Sequence, residues 1–200
     1  MEILDKFNIY IKKNKIKNES ETSKIEKNDD SENIRIIDIV TVLIIAITLS
    51  TLFLHFFRFA TVDGISMQNT LYDGEKLLIN VNAYDNEKIP KYKDIVVIKR
   101  DDLSCKYLVK RVIGTAGDKI SIVNNDLYIN NKKITENYIK ETMNTEDMSI
   151  TIPNGYVFVM GDNRNNSLDS RSNVIGLVNI KDEIFGKAIF NISKISKINN

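Results

Sequence analysis

A chain of 200 residues has room for one ordinary domain with appendages, and 28 basic against 27 acidic residues leave a net charge of +1, so no global field draws it to nucleic acid. The single cysteine, Cys105, excludes an internal disulfide, and it cannot build a structural zinc site with the single histidine, His55. A Ser-His-Asp or Cys-His mechanism would have to draw on His55, inside the most apolar stretch of the chain, so a nucleophile elsewhere needs another base.

Residues 1–33 are rich in Lys, Asn, Glu, Asp and Ser and are expected to form a polar, mostly disordered tail. From Ile39 to Phe57 there is no Asp, Glu, Lys or Arg, with Asp38 before the run and Arg58 after it. At ~1.5 Å per residue a helix of that length approaches the ~30 Å hydrocarbon layer. Because the run is apolar all round rather than striped, one transmembrane helix is predicted over 34–58. A cleaved leader fits poorly: the run is too long, and Phe59-Ala60-Thr61-Val62-Asp63 offers no small-x-small site. Lys12, Lys13, Lys15, Lys17, Lys24, Lys27 and Arg35 precede the span, which places the N-terminus in the cytoplasm and residues 59–200 outside it.

Beyond the span come short β-branched and aromatic runs separated by Gly, Asn and Asp: Leu77–Val81, Ile95–Lys99, Tyr107–Ile113, Lys119–Val123, Leu127–Ile129, Tyr156–Met160 and Ile184–Ile189. They predict a mainly β domain of antiparallel sheets. Asn124-Asn125 suits a tight hairpin, since Asn tolerates positive φ.

Three segments carry candidate chemistry. In Tyr107-Leu108-Val109-Lys110-Arg111-Val112, strand alternation puts Lys110 between Leu108 and Val112 on an apolar face, with Arg111 opposite. Desolvation lowers a lysine pKa, so Lys110 is a candidate base without histidine. Gly64-Ile65-Ser66-Met67 can carry a serine on a turn with its hydroxyl and N–H exposed. Gly161 to Arg171 is a dense polar loop directly after an apolar strand. Each has an ordinary explanation too: an edge lysine snorkelling to water, a loop serine, a solvated loop.

Taken together, the segments resemble the type I signal peptidase family of bacteria over about residues 35–190. The family's Gly-x-Ser-Met-x-Pro-Thr-Leu box corresponds to Gly64–Leu71, its Gly-Asp-x-Val-Val box to Lys93–Val97, its Val-Lys-Arg-x-x-Gly-x-Pro-Gly-Asp box to Val109–Asp118, and its Gly-Asp-Asn-Arg-x-x-Ser-x-Asp-Ser-Arg box to Gly161–Arg171. The resemblance implies a signal-peptidase-like catalytic β domain and a membrane-bound serine endopeptidase, acting without a metal or cofactor. Ser66 would be the nucleophile and Lys110 the general base, with Ser167 orienting the amine. Asp162 with Arg111, and Asp169 with Arg171, would be supporting ion pairs. The implied partners are the signal peptides of exported preproteins, the lipid bilayer and the export machinery. A substrate strand would lie in a groove flanked by Ala60, Val62, Gly64, Tyr107 and Leu108.

Asn69 stands in place of the family's Pro, Ala116 in place of the Pro before Gly117, and Lys93 in place of a Gly. The last two lie off the dyad and are read as minor. Lys110, rather than His, is similar to the ordinary bacterial form, and Gly64 removes the serine hydroxyl that some relatives place two positions before the nucleophile. A catalytically impaired β module that binds leaders or a partner without cutting is the alternative, with Asn69 as its main support. A self-cleaving repressor shares the dyad but would need DNA-binding helices where this chain has its apolar span.

Overall fold

The computed structural model describes residues 36–103, 105–194 and 196–198; the polar tail expected over 1–33 lies outside them. Helix α1 (Ile36–Phe56) is exposed around its whole circumference, and among the described residues it is the one helix long and apolar enough to cross a membrane. Its three threonine hydroxyls are satisfied within the helix. The hydroxyls of Thr41, Thr48 and Thr51 donate to the carbonyls of Ile37, Ile44 and Ile47 at 2.7, 2.8 and 2.7 Å, the back-bonding open to hydroxyls inside a helix. The expected span ran to residue 58, but the helix stops at Phe56. Phe57 and Arg58 open strand β1 (Phe57–Thr61) and pair with Asn80 and Ile79, because the ladder satisfies backbone groups that the helix end leaves open.

The β region has two antiparallel sheets. The larger uses β1, β2 (Lys76–Asn80), β3 (Ile95–Lys99), β4 (Tyr107–Gly114), β9 (Tyr156–Met160), β10 (Val178–Asn179) and β11 (Ile184–Asn191) in the order β1-β2-β11-β3-β4-β9-β10, with β12 (Ser196–Lys197) added to β11. The smaller has the order β7-β6-β5-β8, built from β5 (Lys119–Val123), β6 (Asp126–Ile129), β7 (Lys132–Lys133) and β8 (Met148–Thr151). A short helix, α2 (Ile180–Glu183), links β10 to β11, its start capped by the Asn179 side chain.

Strand burial explains the apolar runs. In β3, Ile95, Val96, Val97 and Ile98 are all buried, the mark of a central strand covered on both faces. Ile95 packs with Val62, Met67, Leu71 and Leu77. Val96 and Ile98 pack instead with Val112, Val157 and Val159. In β9 the alternation is complete: Val157 and Val159 join the Val96 cluster, while Phe158 and Met160 pack with Ile113, Ile120 and Ile122 to join the small sheet to the large one. The expected hairpin is present, with Asn124 and Asn125 at φ 50° and 67° between β5 and β6.

Asp118 N–H donates to Thr115 O at 3.0 Å, and Gly117 has φ +88°, which makes Ala116 the second residue of a type II turn, the position proline favours. Ala116→Pro is expected to raise the unfolding free energy by about 0.4–1 kcal/mol by restricting the unfolded chain, read as a shift in denaturant midpoint at constant slope.

Candidate active site

The turn that follows β1 starts at Gly64, whose φ of +95° suits a residue without Cβ, and its N–H is held by Asp73 Oδ1 at 2.8 Å. Two turns of backbone bonding, Gln68 N–H to Ile65 O and Leu71 N–H to Met67 O at 3.1 and 2.8 Å, shape residues 65–71. Met67 and Leu71 are buried and root the turn in the core, while Ile65 is 45% exposed. Met67 is therefore a core residue. Asn69 N–H takes part in no hydrogen bond among the described residues, so the turn forms without proline and without a bond that proline would remove.

Lys110 lies opposite Val96 in the β3–β4 ladder. Its side chain is buried, and Nζ donates to Ser66 Oγ at 2.7 Å and to Val109 O at 3.1 Å. No carboxylate forms an ion pair with it among the described residues. Burial brings its pKa down from 10.5 to about 8, and Asp169, Cys105 and Asp162 only partly oppose the fall through their charge. A lysine poised there takes a proton from a hydroxyl 2.7 Å away far more readily than one in water. Ser66 N–H has no acceptor among the described residues, so it is open to a developing oxyanion. Gly64 supplies no second donor, since its N–H is engaged by Asp73.

Arg111, the next residue along β4, meets Asp162 in a bidentate pair, Nε to Oδ1 at 2.8 Å and Nη2 to Oδ2 at 2.7 Å, with both side chains at 2% exposure or less. Thr70 joins them. Its hydroxyl donates to Asp162 Oδ2 at 2.5 Å and accepts from Arg111 Nη2 at 3.1 Å. Asn163 grips the nucleophile turn from the other side, with N–H to Ser66 O at 3.0 Å and Nδ2 to Ile65 O at 3.1 Å. The second expected pair is present as well: Arg171 Nε and Nη2 donate to Asp169 at 2.8 and 2.9 Å, and Asp169 Oδ2 also accepts from Gly161 N–H at 2.9 Å.

Two expectations change. Ser167 does not bond to the lysine amine. Its Oγ is buried without a hydrogen-bond partner among the described residues, and it is packed against Gly161, where an added Cβ would fall 2.3 Å from Ser167 Oγ and 2.5 Å from Ser66 O. Lys93 is not a minor replacement either. It holds φ +72°, a region that favours glycine, and its carbonyl accepts from Arg111 Nη1 at 3.1 Å. Thr70 and Asn163 were missed as supports. Both lie inside the sequence boxes, yet only the fold reveals which atoms they reach.

A groove of about 710 Å³ runs up to Ser66 and Lys110, with Ala60 and Val62 from the β1 side and Tyr107 and Leu108 from β4 along its walls. Gly64, expected there, is not in the wall, since it sits in the turn behind. Sequence reasoning did not foresee Phe185, which lines the groove and meets Tyr107 edge-on at 5.2 Å between ring centres.

Folding lowers the Lys110 pKa from 10.5 to about 8, so between those values the unfolded chain holds more protons and stability rises with pH. Lys110→Met removes that titration. It is expected to stabilise the protein most below about pH 8 and to lose the advantage as the pH nears 10.5, measured as unfolding midpoints across that range.

Known proteins resemble this chain over most of its length. The sequence model of the signal peptidase family, peptidase S26, matches residues 33–193. A signal peptidase I of Bacillus amyloliquefaciens is 42% identical over 159 residues, 74% of this chain and 80% of its own length. Signal peptidase I U of Bacillus subtilis is 38% identical over 168 residues, 76% and 84% of the two chains, and signal peptidase IB of Staphylococcus aureus is 37% identical over 150 residues, 65% and 74%. A solved signal peptidase I of Enterococcus faecalis V583 is 29% identical, covers 50% of this chain and 97% of its own, and superposes with a TM-score of 0.43. On the family match and these identities, the chain belongs to the signal peptidases of family S26.

Proposed function

We propose that the protein removes signal peptides from exported preproteins as a Ser/Lys endopeptidase, with Ser66 as nucleophile and Lys110 as general base. The observation that carries the reading is the 2.7 Å contact between Lys110 Nζ and Ser66 Oγ, made by a lysine whose pKa burial brings to about 8. With the amine neutral, the hydrogen bond reverses and the serine hydroxyl donates to Nζ. Ser66 Oγ attacks the scissile carbonyl while Lys110 takes its proton, and the oxyanion is received by Ser66 N–H. Collapse of the tetrahedral adduct breaks the C–N bond, and Lys110 returns the proton to the departing amine. Water then adds to the acyl ester with Lys110 again as base, which frees the signal-peptide carboxylate and restores Ser66.

The supports have distinct tasks in this scheme. Asp162 with Arg111, and Asp169 with Arg171, hold the polar loop to the dyad. The unpartnered Ser167 hydroxyl is the acceptor we assign to the ammonium once Lys110 has taken the proton, when the amine has a hydrogen more to place. The substrate's extended segment adds along β1, an edge strand, with Ala60, Val62, Tyr107 and Leu108 against its side chains. Helix α1 anchors the chain in the cell membrane by a single pass; the lysines before it keep the N-terminal tail, residues 1–33, in the cytoplasm and put the catalytic domain, 59–200, on the far side beside the lipid surface and the export machinery.

In detergent, the intact chain is expected to cleave a signal-peptide-bearing substrate, with Ser66→Ala and Lys110→Ala each lowering kcat/KM by about 10³-fold or more. Unmodified protein no faster than these variants would leave a binding module without catalysis. The base must be neutral to act, so kcat/KM should climb about tenfold per pH unit below pH 8 and level off above about pH 9. A profile flat from about pH 6 to 9, with chemistry rate-limiting, removes Lys110 as the base.

A further inference from the structure

Residues 136–140 lie in the connection after β7, far in sequence from every catalytic box, yet they touch three parts of the site. Glu136 receives the Arg164 guanidinium through both oxygens, with Nη2 to Oε1 at 2.7 Å and Nη1 to Oε2 closing the pair, and the two side chains are 4% and 0% exposed. Tyr138 Oη donates to Glu136 Oε1 at 2.5 Å, and the Tyr138 ring lies against the Arg111 guanidinium at 4.0 Å, close enough for a cation–π contact. Lys140 N–H donates to Asp162 O at 3.0 Å, and its Nζ reaches Gln68 Oε1 on the nucleophile turn, also at 3.0 Å. Arg164 passes the connection on, with Nε to Gly161 O at 3.0 Å, and its own carbonyl accepts from Arg171 Nη2 at 2.6 Å.

We propose that this segment is an outer clamp on the dyad, in which Glu136 and Tyr138 are positioning residues. Glu136 neutralises and orients Arg164, so that the loop carrying Asp162, Asn163 and Asp169 keeps its path. Tyr138, fixed by its bond to Glu136, closes the open face of Arg111 and keeps that guanidinium in the plane that pairs with Asp162 and Thr70. Without the clamp, the turn bearing Ser66 and the strand bearing Lys110 lose their common reference, and the 2.7 Å approach of amine to hydroxyl opens. The connection between β7 and β8, which carries none of the dyad, thereby sets its geometry. Substrate binding should be nearly untouched, because neither Glu136 nor Tyr138 lines the groove.

The inference rests on the assignment of Ser66 and Lys110, and the test separates the two. With the full chain in detergent micelles and a signal-peptide substrate, wild-type turnover lost in Ser66→Ala establishes the dyad independently of any clamp variant. Glu136→Gln and Tyr138→Leu are then expected to lower kcat by about 10- to 100-fold, the scale of a misplacement near 1 Å, with KM within about threefold. Tyr138→Phe keeps the ring but loses the bond to Glu136, and should fall between them and wild type. Folded variants with wild-type kcat, or losses confined to KM, overturn the clamp. If Glu136→Gln does not fold, the apolar pair Glu136→Leu with Arg164→Met restores packing without buried charge. Turnover still depressed in that folded double variant supports positioning; turnover back at the wild-type level overturns it.

Discussion

Everything in the site is referred to the carboxylate of Asp162. It lies at 0% exposure, holds Arg111 by two bonds and receives the hydroxyl of Thr70. Arg111 is the neighbour of Lys110, Thr70 shares a turn with Ser66, and Asp162 lies at the start of the polar loop, so three segments far apart in sequence meet at one group. A buried ion pair adds little net stability against an apolar replacement, whereas losing one partner leaves a charge stranded, at a cost of about 3–5 kcal/mol. Its worth here is geometric. A fork of fixed shape allows one arrangement, and that arrangement brings Ser66 and Lys110 into contact.

Two adjacent cations in β4 receive opposite treatment. Arg111 is given a carboxylate, a hydroxyl, the Lys93 carbonyl and an aromatic face, and it stays charged as arginine always does. Lys110 is buried just as deeply but is offered only a hydroxyl and a carbonyl, so its ammonium is poorly compensated and its proton is easily lost. The carboxylates that might have rescued it are occupied elsewhere: Asp169 by Arg171 and a backbone N–H, Asp162 by Arg111 and Thr70. The lysine we propose as base is thus left with few partners, while the arginine beside it is saturated.

How much of this was legible in the chain depended on distance along it. The run Ile95–Lys99 announced a strand, Asn124-Asn125 announced its hairpin, and Lys110 flanked by Leu108 and Val112 announced a lysine on an apolar face; each is a local pattern. Strand β1 was hidden because its first two residues closed the apolar run and read as helix. Strand β7, of two residues, is too short for periodicity to show. The pairs Thr70 with Asp162 and Glu136 with Arg164 stand 92 and 28 positions apart, and no local rule joins them. Ser167 marks the opposite limit: its place in the box was plain from sequence, but its lack of a partner is a matter of ångströms around Gly161.

Strand β1 sits at the end of its sheet with one edge unpaired, and Phe59 at its centre is 61% exposed. Most proteins cover or blunt such an edge, since it accepts any extended chain, including another copy of itself. The substrate strand we propose to add here requires that the edge stay bare. Its length of five residues and the charge of Arg58 are the restraints this chain keeps against self-association. The isolated β domain should therefore self-associate first along β1, and a second charge on that strand would improve its solubility while obstructing the substrate seat we propose there.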